Sequence, residues 1–161
     1  MATIIRPLNN SVDTFSVFLS GSTENDPPND WRTCIERALV SSNIAVLNPY
    51  RADWDSSWVC SIEKLQFREQ VEWELAALET ADLIAVYLSP GAKSSISLLE
   101  LGLFARSGKV IVCCPEGFWR KGHVDIVCAR YAIEQVSSID TMALRIGNIA
   151  SSKGAVESSG D

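Results

Sequence analysis

Between Ser94 and Ala105 a single ionisable side chain, Glu100, stands among Ile96, Leu98, Leu99, Leu101, Leu103 and Phe104. These apolar residues ring a helix on nearly every face, the pattern of a buried helix, so Glu100 is expected in or beside a core. An isolated carboxylate there costs several kcal/mol unless it is paired, hydrogen-bonded or faces a cleft. Such a group could be a nucleophile, a general base or an acceptor for a sugar hydroxyl. The plainer alternative is a core glutamate satisfied by a serine hydroxyl or a backbone amide. A second carboxylate, Glu74, shares a helix face with Gln70, four residues earlier, and has Trp73 beside it. Its plainer reading is a solvated helix glutamate.

Carboxylates with aromatic neighbours suit chemistry at a glycosyl bond. When a group leaves an anomeric carbon, oxocarbenium character develops, which a carboxylate can stabilise or capture covalently. A second acid can protonate the leaving group, and aromatic rings offer stacking surface to a flat base. Other chemistries find less support. The run Ser20-Gly21-Ser22-Thr23 offers amides and hydroxyls to a phosphate, a sugar or a carboxylate. It lacks the glycine spacing of dinucleotide folds and the Gly-Lys-Ser/Thr ending of triphosphate-binding loops. The one histidine, His123, has no neighbour at metal-ligand spacing, and the five cysteines contain no C-x-x-C pair. Neither a zinc site nor any cofactor is expected.

These groups need elements to position them. Phe15 to Leu19 reads as a strand ending in the Ser-Gly-Ser-Thr loop, and Asp30 as the N-cap of a helix from Trp31 to Leu39. The Pro27-Pro28 pair keeps the connection between them out of helix. Ile44 to Leu47 is a short buried strand stopped by Asn48-Pro49, followed by a long loop carrying Tyr50, Arg51, Asp53, Trp54, Asp55 and Trp58. That loop is either a binding segment or an aromatic-stapled surface loop. Leu65, Val71, Leu75 and Leu78 recur at helical spacing and predict a helix from about Ile62 to Glu79. Leu83 to Leu88 is a third strand leading to the Glu100 helix, Gly108 its stop, and Val110 to Cys114 a fourth strand. After the loop PEGFWRKGH come a short helix around Val124 to Ala129, a strand from Tyr131 to Val136, and a last helix from about Ile139 to Ile149.

The alternation predicts an α/β, doubly wound, flavodoxin/Rossmann-like fold: a five-stranded parallel sheet flanked by helices. The loops at Ser20-Gly21, at Asn48 to Trp58 and at Ser89 to Glu100 then meet at the switch point of the sheet, where ligands bind. A chain of 161 residues accommodates one such domain. The reading divides it into an arm, 1–14, the domain, 15–150, and a polar tail, 151–161, expected to be disordered.

Composition narrows the partners. A net charge of −6 provides no basic stripe for nucleic-acid phosphates or anionic membranes. No apolar run approaches the ~20 residues of a membrane span, and MATIIRPLNN lacks the apolar core of a secretory signal. A cytoplasmic protein is expected, and Cys113 and Cys114 in VIVCCP read as strand core instead of a disulfide frame.

In order along the chain, FLSGST, NPYRADWD, QVEWE, ADLIAVYLSP, SLLELG and GFWRKGHVDIV together resemble the nucleoside 2-deoxyribosyltransferase-like proteins, over about Phe15 to Val136. The resemblance implies a retaining transfer of deoxyribose between nucleobases, with Glu100 of the E-L-G motif as covalent nucleophile. Glu74 would assist proton transfer at the base or position Glu100. Ser20, Gly21, Ser22 and Asp53 would line the pocket, together with Asn48, Arg51, Trp54 and Gln70. It also implies a small-molecule nucleoside or nucleotide and a free nucleobase as partners, and a homo-oligomer in which Phe118 to Asp125, with Trp119, His123 and Asp125, reaches a neighbouring site. The best-known transferases carry an aspartate before the nucleophile where this chain has Lys93, Ser94, Ser95, Ile96 and Ser97. Ser94 and Ser97 suit a phosphate, and related hydrolases cleave nucleoside 5′-monophosphates. Hydrolysis of that kind, or a non-catalytic nucleotide-binding module, are the alternatives.

Overall fold

A computed structural model describes residues 3–5, 14–22 and 30–157 of the chain. Six strands form one parallel sheet: β1 (Thr3–Ile5), β2 (Ser16–Gly21), β3 (Ala45–Leu47), β4 (Leu83–Tyr87), β5 (Val110–Cys113) and β6 (Glu134–Val136), in the order β1-β3-β2-β4-β5-β6. The five expected strands take the flavodoxin-like order. A sixth, β1, comes from the expected arm and pairs with β3 in the register Thr3↔Ala45 to Ile5↔Leu47. Three residues of the ATIIRP run gain a backbone ladder in this way, where the arm was expected to hold no element.

Period-two alternation divides the core. Phe18, Ile84, Val86 and Val112 point to one face, under α2 (Leu65–Thr80), α3 (Ser95–Phe104) and α4 (Lys121–Arg130). Val17, Leu19, Ala85 and Ile111 point to the other, under α1 (Trp31–Leu39) and α5 (Ile139–Glu157). Both faces are covered, so the strands read as continuous apolar runs.

Local chemistry sets the helix limits. Asp30 caps α1, its Oδ1 accepting from Thr33 N at 2.8 Å. At the far end of α2, Lys109 Nζ donates to the carbonyls of Leu78, Glu79 and Ala81, each at 2.8 Å. It satisfies acceptors that a helix end leaves open.

Three expectations are corrected. The helix around Glu100 is not buried all round: Ile96, Leu99 and Leu103 are exposed, because a helix lying on a sheet turns only one side to it. Leu65 and Leu75 of α2 are likewise exposed. The last strand starts at Glu134 instead of Tyr131, because Ala132 takes a left-handed φ of 54° in the turn that closes α4. The last helix runs to Glu157, through residues expected to be a disordered tail. Ser151 and Ser152 bond back to the Gly147 and Asn148 carbonyls, and Lys153 Nζ lies 3.4 Å from Asp82 Oδ1 and over the Phe15 ring. The Pro27-Pro28 connection lies outside the described residues.

Candidate active site

The chain leaves β2 for β3 on one side and later enters β4 on the other, so a crevice opens between the carboxyl ends of β2 and β4. Gly21 pairs with Tyr87 at this rim. A Cβ on Gly21 would stand 2.5 Å from the Trp31 ring and 3.0 Å from the Tyr87 carbonyl, so only glycine lets the strand end pass between them.

Glu100, one turn inside α3, enters the crevice from the β4 side and is 8% exposed. The Ser20 hydroxyl, at the end of β2, donates to Glu100 Oε2 across 80 residues of sequence. Burial pushes the Glu100 carboxyl up to about 7. The Ser20 hydrogen bond opposes that rise, the charge of Glu74 adds to it, and Arg32 attracts in the other direction. Glu74 is also raised, first by burial, against a 2.7 Å bond from Gln70 Nε2 to its Oε1 and the pull of Arg32. Gln70 Nε2 is shared with the Pro49 carbonyl at 3.0 Å, tying α2 to the loop after β3. Glu74 is therefore no solvated helix glutamate. Burial raises both carboxyls, and the charge of Glu74 adds to the rise of Glu100.

At the start of α3, Ser94 is 3% exposed and its Oγ has no hydrogen bond, while its backbone sits at φ 51°, ψ 41°. A non-glycine residue in this region is uncommon and costs strain. Ser97, one turn before Glu100, is buried as well. The first turn of α3 thus carries a buried hydroxyl without a partner beside the unpaired amides of a helix start.

Other expected residues are held elsewhere. Asn48 is buried, but its Nδ2 donates to Glu36 Oε1 at 2.6 Å and its Oδ1 accepts from Tyr50 N at 2.9 Å. Arg51 and Asp53 make a two-pronged ion pair at 3.0 and 2.7 Å, with the guanidinium over the Trp58 ring. Trp54 packs edge-on to Trp58 at 5.1 Å and near Phe67. The segment from Arg51 to Trp58 is a surface loop stapled by these contacts. Trp73 packs on Phe18 in the core instead of offering a free ring. Trp119 Nε1 donates to the Lys93 carbonyl at 3.0 Å, which fixes the loop after β5 to the residue before Ser94. His123 is exposed on α4. Asp125 holds Lys121 at 3.0 Å in a separate cavity of about 370 Å³, lined also by Cys114, Glu116 and Ser137. Among the described residues no three His, Cys, Asp or Glu side chains converge as a metal site.

The family model described as nucleoside 2-deoxyribosyltransferase like matches residues 14–118. The chain belongs to that family. No curated protein matches it. Among solved structures, a conserved protein from Enterococcus faecalis V583 shares the fold at a TM-score of 0.53 and 12% identity, covering 83% of this chain and 97% of its own. The family match spans β2 through the loop after β5, and so includes Ser20, Gln70, Glu74, Ser94 and Glu100. Trp119, His123 and Asp125 lie beyond its end.

One site residue escaped the sequence reading. Arg32 is 2% exposed, donates through Nη2 to the Gly21 carbonyl, and attracts both Glu74 and Glu100. The signal was present: Arg32, Ile35 and Leu39 fall at i, i+3 and i+7, so this cation sits on the apolar face of α1. No helix among the described residues is long and apolar enough to cross a membrane.

Proposed function

We propose that this chain is a glycosyl-transferring enzyme acting on the N-glycosidic bond of (deoxy)nucleosides, with Glu100 as nucleophile and Glu74 as its acid–base partner. The observation that carries the reading is the buried Glu100 carboxylate, held by Ser20 through one oxygen and electrostatically coupled to Glu74. In the first step a Glu100 oxygen attacks the anomeric carbon, and the carbon–nitrogen bond breaks with its electron pair passing to the base. The departing base takes a proton, and in this reading Glu74 supplies it. The glycosyl ester then yields to a second base nitrogen, which gives transfer, or to water, which gives hydrolysis. Either outcome retains configuration through two displacements.

A specific observation favours a second reading, hydrolysis of nucleoside 5′-monophosphates. Ser94 Oγ is buried without a partner at the amino end of α3, where helix amides favour an anion. A phosphate seated there would give this hydroxyl its missing partner a turn and a half from the nucleophile. No cofactor enters either reaction.

The test is incubation with a deoxynucleoside, with and without a second free base, and then with the 5′-monophosphate, following products by chromatography. Exchange that requires the acceptor base supports transfer. Release of base from the monophosphate alone, weakened by Ser94→Ala through KM, supports the hydrolase. Silence in every mixture, with ligand binding retained, supports the non-catalytic module.

A further inference from the structure

Gln70 has one half of its amide unanswered. This residue of α2 is 6% exposed, and its Nε2 donates twice, to the Pro49 carbonyl at 3.0 Å and to Glu74 Oε1 at 2.7 Å. Its Oε1 is buried and, among the described residues, accepts no hydrogen bond. The two partners of the nitrogen fix which way the amide points. A peptide carbonyl and an ionised carboxylate oxygen only accept, so the nitrogen lies toward them and the oxygen away. A buried acceptor without a donor is costly and uncommon in a folded chain, and it calls for a donor that arrives from outside.

We infer that Gln70 selects the base: its Oε1 accepts a hydrogen bond from an amino group beside the ring nitrogen that Glu74 protonates, which makes 6-aminopurine nucleosides preferred substrates over 6-oxopurine ones. The inference rests on the proposed glycosyl reading, in which Glu74 supplies the proton to the departing base. Gln70 and Glu74 lie one turn apart on the same face of α2 and are hydrogen-bonded to each other. A base nitrogen that meets the carboxyl therefore lies next to the amide. In adenine the N7 acceptor has the N6 amino group, a donor, beside it. In guanine and hypoxanthine the same place holds the O6 carbonyl, an acceptor.

The two kinds of base meet opposite responses. An amino group gives the buried Oε1 its missing donor. A carbonyl sets two acceptors against each other, and the amide cannot turn to offer Nε2 without giving up its bonds to Pro49 and Glu74. A site built to hydrogen-bond a substrate N–H rejects the analogue that lacks it, because the buried polar group is then left unpaired. One such bond made or lost corresponds to a preference of roughly 10- to 100-fold.

The test compares deoxyadenosine with deoxyinosine, which carry an amino and an oxo group at C6, as glycosyl donors for the full chain, and adenine with hypoxanthine in calorimetric binding. The wild type is expected to favour the amino member of each pair by roughly 10- to 100-fold, in kcat/KM and in Kd. Gln70→Met, apolar and of similar length, is expected to bring both ratios close to one, whatever it does to the absolute rate. Turnover with a wild-type ratio near or below one, or a ratio that Gln70→Met leaves unchanged, overturns the inference and leaves the glycosyl reading standing. The expected binding ratio without turnover of either nucleoside supports selection by Gln70 and counts against the glycosyl reading. Neither binding nor turnover overturns both. The wild-type comparison needs no variant, so it decides even where Gln70→Met does not fold.

Discussion

Replacing Glu100 by glutamine keeps the side chain's shape and removes its charge, and the structure gives the outcome a sign. Burial carries this carboxyl from its ordinary 4.5 to about 7, against the Ser20 hydrogen bond and the pull of Arg32. A carboxyl whose folded value is raised takes up a proton on folding between the two values. Its ionisation is therefore a cost that is absent below about 4.5, grows as pH rises, and is complete above about 7. At about 1.4 kcal/mol per pKa unit, the full cost is on the order of 3 kcal/mol. Glu100→Gln should match the wild type at pH 4 and exceed it by about that amount at pH 8, with most of the change between pH 5 and 7. Urea titrations at pH 4, 6 and 8, followed by tryptophan fluorescence, measure it. On the proposed reading the same variant should lose glycosyl transfer by roughly 10³-fold or more, since the ester forms on Glu100. A stability difference that does not change with pH, or a glutamine variant less stable at pH 8, would refute the claim that an ionised carboxylate is confined here at a cost.

Two further predictions concern the groups that frame this carboxylate. Ser20→Ala removes the donor that favours ionised Glu100, so the acid limb of kcat/KM should move to higher pH, by about one unit given the strength of a charge-assisted hydrogen bond; an unmoved limb would mean that Ser20 does not tune the nucleophile. Gly21→Ala forces a methyl to within 2.5 Å of the Trp31 ring and 3.0 Å of the Tyr87 carbonyl, and should cost about 1–3 kcal/mol in urea denaturation as an overpacking change; a neutral result would mean that the Trp31 ring yields freely.

Much of the fold was legible because burial on both faces of a parallel sheet writes continuous apolar runs into the sequence. Val17 to Leu19, Leu83 to Val86 and Val110 to Cys113 are such runs, and the helix starting after Asp30 announces itself by its cap. Edges were less legible. β1 and β6 have three residues each and sit at the two sheet margins, where few apolar contacts constrain the pattern. The final turns of α5 read as a polar tail because their stabilising contacts, to Asp82 and Phe15, come from residues far away in the chain.

Candidate residues stood out where composition was discordant. Glu100 stood out as one charge among aliphatics, and Arg32 carries the same signature at the apolar positions of α1. What composition does not carry is which partner answers the discord, since the Ser20 hydroxyl lies 80 residues from Glu100. Asp53 and Trp54 had suitable chemistry, and their partners are Arg51, Trp58 and, on α2, Phe67. The apolar sequence of α3 shows the same limit from another side. A helix apolar on nearly all faces reads as buried on every side, yet a helix lying on a sheet turns only one side to it. Leu98 and Leu101 pack against the core, while Leu99 and Leu103 stand in the open.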